Sequence, residues 1–164
     1  MLSNLPAPMV GAINCVALVS NTIISCTPLF GFALLKLAPI KPLQKVCTLS
    51  CIKIAEAWIA INSAVLGSTQ KTQYNITGDL NDVKYDGWYM VIANHQSWAD
   101  IFILQKIFNK QAPFLKFFLK GELIYVPVIG LAWWALDFPF MKRYGKEFLA
   151  KHPELKGKDL ETTR

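Results

Sequence analysis

Not one lysine, arginine, aspartate or glutamate occurs before Lys36 in this chain of 164 residues. A cleaved secretory leader is disfavoured by that absence, because such leaders begin with a basic stretch. Cys-x-x-Cys pairs are missing as well. The four cysteines, Cys15, Cys26, Cys47 and Cys51, all lie in the apolar first third without a nearby histidine, so they read as small packing residues. A metal site would need three or four ligands, which that stretch does not hold, and no metal is expected. Charge is scarce overall: 17% of residues are charged against 53% hydrophobic. A soluble domain carries about 25% charged residues, so this composition points to contact with lipid.

What charge exists sums to +6 and lies mostly beyond residue 70. Nucleic-acid binding would want those cations clustered on a recognisable module, and none is present. Basic residues beside an apolar anchor read instead as attraction to anionic headgroups, each worth about 1 kcal/mol near the surface. From Met9 to Leu35 the chain runs without a formal charge. As helix this covers roughly 40 Å, more than the roughly 30 Å hydrocarbon core. One membrane-inserted helix is expected, which Pro28 either kinks or ends near Thr27. Lys36, Lys41, Lys45 and Lys53 follow it, and the positive-inside rule places the remainder in the cytoplasm. About Cys47 to Leu66 the spacing is again helical. Lys53, Glu56 and Ser63 share one arc, which suggests a helix in the membrane interface, the alternative being an ordinary packed helix.

Beyond a linker at Ser68–Lys71 the rhythm becomes that of alternating strands and helices. Strands are expected at Thr72–Thr77, Trp88–Ala93 (buried), Phe114–Leu119 and Phe138–Met141, with helices at Ser97–Phe108 and Glu122–Leu136. The expectation is an α/β fold, divided into a membrane-associated helical segment over residues 1–70 and a second domain over residues 71–164.

One segment carries chemistry: Asn94-His95-Gln96-Ser97-Trp98-Ala99-Asp100. Ser97 is placed to cap the following helix, so Asp100 falls in its first turn, where free N–H groups and the helix dipole favour an ionised carboxylate. Turned back toward His95, that carboxylate fixes one imidazole tautomer and stabilises the imidazolium, making a general base with an orienting partner. The plainer alternative is a helix-start charge beside a hydrogen-bonded histidine. Ser97 as a nucleophile is disfavoured because the G-x-S-x-G turn is absent.

The string NHQSWAD resembles the first sequence block of the 1-acylglycerol-3-phosphate acyltransferases, the lysophosphatidic acid or PlsC-type family. Lys120-Gly121-Glu122-Leu123 with Pro127 and Gly130, followed by Phe138 to Arg143, is similar to that family's second block. The resemblance implies transfer of a fatty acyl chain from acyl-CoA or acyl carrier protein to the free hydroxyl of a lysophospholipid in the membrane, with no cofactor. It gives His95 and Asp100 the catalytic roles. Arg143 would bind the acceptor's phosphate, with Lys142 and Lys120 adding positive potential. The family's third block, a strand followed by Glu-Gly-Thr-Arg, and its later fourth block have no counterpart. The expectation is therefore a C-terminally truncated acyltransferase domain whose own activity is in question. The rival expectation is a non-catalytic, lipid-binding remnant.

Overall fold

The computed structural model describes residues 5–69, 72–141 and 146–155. Two compact units divide after Leu115. The first is built on a helical hairpin, α1 (Ala7–Lys36) and α2 (Lys41–Thr69), whose four-residue connection leaves the helices no course but an antiparallel one. Pro28 lies inside α1 and does not end it. Proline removes one N–H from the ladder, but in the same turn the Thr27 hydroxyl donates to the Ile23 carbonyl at 3.0 Å. The next residue, Leu29, is buried. Where one membrane-inserted helix and a second, interfacial or packed one were expected, two helices are present, each long and apolar enough to cross a membrane by length and composition.

The hairpin seam explains its own sequence. Cys26, Leu29 and Ala33 of α1 face Cys47, Cys51, Ala55 and Ile59 of α2, and all are buried. Small side chains at a seam let two backbones approach closely. Polar pairs set the register, because a buried amide without a partner is costly. The Asn21 amide nitrogen donates to the Asn62 side-chain oxygen at 2.8 Å and to the Trp58 carbonyl at 3.1 Å. Farther along, the Thr69 hydroxyl donates to Asn14 Oδ1 at 2.8 Å. On the outer side Val16, Val19, Ile23, Ile24, Leu34 and Leu35 of α1 are exposed.

After α2 the chain runs without regular secondary structure from Thr72 to Gln96 and then enters α3 (Trp98–Phe108), which packs on α2. This corrects two expectations. Neither Thr72–Thr77 nor Trp88–Ala93 forms a strand, and the latter run is not buried: Trp88 is 99% exposed and Ile92 85%. A strand exists only where a neighbour takes up its backbone groups. Among the described residues the only ladder is elsewhere.

That ladder belongs to the second unit, which begins at Lys116. Here β1 (Leu119–Lys120) and β2 (Phe140–Met141) pair in parallel, Leu119 opposite Phe140 and Lys120 opposite Met141. A 3₁₀ turn (Gly121–Tyr125) and α4 (Ile129–Ala135) make the crossover. The expected single helix from Glu122 to Leu136 is thus broken. Pro127 has no N–H to give, and Val128 adopts a positive φ of 65° before α4 starts. A short α5 (Lys146–Lys151) and a 3₁₀ turn (Pro153–Leu155) follow. The described chain is therefore mostly helical with a small parallel sheet, so the α/β expectation holds only in part.

Candidate active site

Local chemistry in the first unit builds the site. Ser97 has extended backbone angles and caps α3, its hydroxyl accepting the Ala99 N–H at 3.2 Å. Asp100 completes the reciprocal capping box: its Oδ2 accepts the Ser97 N–H at 2.8 Å and the Gln96 N–H at 2.6 Å. Those two N–H groups hold the Asp100 carboxyl below the ordinary carboxylate range, with the nearby His95 ring adding to the effect. His95 Nδ1 stands 3.3 Å from the same Oδ2.

The two side chains differ in their access to water. His95 is 59% exposed and Asp100 30%. The ring nitrogen facing Asp100 is Nδ1, so a proton held there leaves Nε2 as the lone-pair nitrogen. Exposed apolar side chains flank the histidine in sequence, Trp88, Met90 and Ile92 before it and Trp98 after it. Soluble proteins rarely leave such a run uncovered.

Lys120 belongs to the second unit, at the end of β1, and is ion-paired with Glu122 at the start of the 3₁₀ turn. Lys142 and Arg143 lie outside the described residues. In the same unit Gly130 has a clear structural reason. A Cβ added there would stand 2.2 Å from the Ile124 carbonyl oxygen and 2.8 Å from that of Leu123.

Glu56 and Tyr85 of the first unit gain a meaning that sequence patterning did not give them. Glu56 is 3% exposed, and its carboxylate holds Lys53 at 2.8 Å and the Tyr85 hydroxyl at 2.5 Å. The sequence does offer a signal, because Glu56 is the single acid of α2 and follows Lys53 by three residues.

The model of the family described as Acyltransferase matches residues 74–160, more than half of the chain, and the match covers the His95–Asp100 pair. No curated protein and no solved structure matches the chain.

Proposed function

The chain belongs to the acyltransferase family, and from that premise we propose that it carries a fatty acyl group from a thioester to the free hydroxyl of a lysophospholipid. The donor is acyl-CoA or acyl carrier protein, and an acceptor such as 1-acylglycerol-3-phosphate fits the likeness of the NHQSWAD segment to the PlsC-type members. The single observation that carries this reading is the 3.3 Å approach of His95 Nδ1 to an Asp100 oxygen already fixed by two backbone N–H groups.

In this reading Asp100 keeps the Nδ1 proton in place, and His95 Nε2 receives the proton of the acceptor hydroxyl as its oxygen attacks the thioester carbonyl. The C–O bond forms and the carbonyl electrons move to oxygen. When they return, the C–S bond breaks, and the departing sulfur takes the proton from the imidazolium. Ester and thiol are the products, and no acyl-enzyme intervenes. Arg143 and Lys142 are the proposed phosphate ligands of the acceptor, with Lys120 as a further source of positive potential. The exposed Trp88, Met90, Ile92 and Trp98 give the acceptor's acyl chain an apolar path to the histidine. The protein works at the cytoplasmic face of a membrane, held there by the α1–α2 hairpin.

The test is acylation of a lysophospholipid in mixed micelles by the purified full chain with a radiolabelled acyl thioester. His95→Ala is expected to abolish turnover, while unchanged turnover discards the base. The uncovered run from Trp88 to Ile92 favours one second reading, a lipid-binding protein without turnover. Vesicle binding with no thioester-dependent product, indifferent to His95→Ala, selects it.

A further inference from the structure

Between Thr72 and Gln96 no helix or strand holds the chain, yet this is the stretch that must deliver His95 to a fixed place. The fastening comes from α2. Glu56 is buried, and each carboxylate oxygen has its own partner: Oε1 accepts the Tyr85 hydroxyl at 2.5 Å and Oε2 accepts Lys53 Nζ at 2.8 Å. Lys53 also donates to the Tyr85 hydroxyl at 3.2 Å and lies over the tyrosine ring, 4.9 Å from its centroid. The backbone carbonyl of the same Glu56 accepts the Asn109 side-chain amide at 3.3 Å. Asn109 is the residue that terminates α3.

One residue of the hairpin therefore grips the catalytic segment on both sides, at Tyr85 ahead of His95 and at Asn109 behind Asp100. We propose that Glu56, acting through Tyr85, is a positioning residue that sets His95 against Asp100 and so couples the hairpin to catalysis. The inference rests on the acyl-transfer reading above. A buried carboxylate is costly unless its charge is met, and here Lys53 and Tyr85 meet it. The Tyr85 ring lies over Lys53 and its hydroxyl bonds Glu56, so this one side chain ties the irregular stretch to α2 ten residues before His95.

Two measurements on the full chain in detergent test this. In Glu56→Gln and Tyr85→Phe, kcat is expected to fall about tenfold or more with KM changed less than threefold, and the double variant should be no slower than the worse single one, as for residues acting as one unit. Amide exchange of peptides covering residues 84–97 should quicken in Tyr85→Phe while peptides of α1 and α2 keep their protection, which separates loss of position from loss of fold. Unchanged exchange overturns the tether. Faster exchange with wild-type kcat overturns its role in positioning. A wild-type chain without His95-dependent turnover sinks the acyl-transfer reading instead, and the exchange result then still decides whether the tether exists.

Discussion

Replacing Asp100 with asparagine separates the two things its carboxylate does. An asparagine oxygen can still accept the N–H groups of Gln96 and Ser97, which Asp100 Oδ2 now takes at 2.6 and 2.8 Å, so the start of α3 should survive. What is lost is the negative charge 3.3 Å from His95 Nδ1. General-base catalysis with an oriented partner contributes about 10²- to 10⁴-fold. Because the histidine is 59% exposed, water screens the pair and the lower end applies, so kcat should drop about 10²-fold. The control is Ser97→Ala, which removes the acceptor of the Ala99 N–H and costs about 1 kcal/mol of stability while leaving turnover nearly intact. The acid limb supplies a second readout. The Asp100 carboxyl is held below its ordinary value of 3.8, so its stabilising contribution is fully present above that pH and disappears as pH falls through the lower folded-state value. Wild type should therefore lose stability in that acid window, and Asp100→Asn should lose less. Both are read by initial rates with saturating thioester and by thermal melts across pH. Turnover of Asp100→Asn within threefold of wild type would refute the orienting role.

Two further outcomes follow from other parts of the chain. Gly130→Ala should destabilise the second unit by about 3 kcal/mol or more, since a methyl group cannot share space with the Ile124 and Leu123 carbonyls; a variant that melts like wild type would show that the crossover is packed differently. In a Cys15→Ser background, single cysteines at Pro39, in the hairpin turn, and at Asn81, in the irregular stretch before α3, should react with a membrane-impermeant maleimide from the same side. Reaction from opposite sides would mean that the hairpin crosses.

How much of this was legible in the sequence depends on how far apart the interacting residues are. The capping of α3 is settled within four residues, and Ser97 and Asp100 announced both the helix start and the carboxylate's direction. The hairpin is different, because its register rests on Asn14 with Thr69 and Asn21 with Asn62, and nothing local joins residues that distant. For the same reason Trp88–Ala93 misleads: an apolar run suits a buried strand, but its state depends on a partner that the run cannot specify. Pro28 misleads in the opposite direction. Its local effect is to break a helix, and the packing of Leu29 and Ala33 against α2 overrides it. At Pro127 no such packing intervenes, and there the proline does separate the 3₁₀ turn from α4. The arc of Lys53, Glu56 and Ser63 was visible, but whether Glu56 faces water or the protein is decided by Tyr85, which follows the helix by many residues.

In the membrane-bound acyl-transfer reading proposed above, the Tyr85 contact limits how the hairpin can meet lipid. Lys53 lies twelve residues beyond Lys41 in α2, about 18 Å along a helix that rises 1.5 Å per residue. If α2 crossed the bilayer, Lys53, Glu56 and Tyr85 would all lie near the middle of the hydrocarbon. Tyr85 would bring with it an irregular backbone whose polar groups lipid cannot satisfy. The portion of α2 from Lys41 to Lys53 is in turn too short to span a core of about 30 Å by itself. An oblique or in-plane hairpin resolves the conflict. Lys36, Lys41, Lys45 and Lys53 then reach headgroups along its length, while Ile23, Ile24, Leu34 and Leu35 of α1 enter the acyl region of one leaflet. In that posture the uncovered Trp88, Met90 and Ile92 share the membrane surface with the hairpin. A lysophospholipid can then present its hydroxyl to His95 without leaving the bilayer.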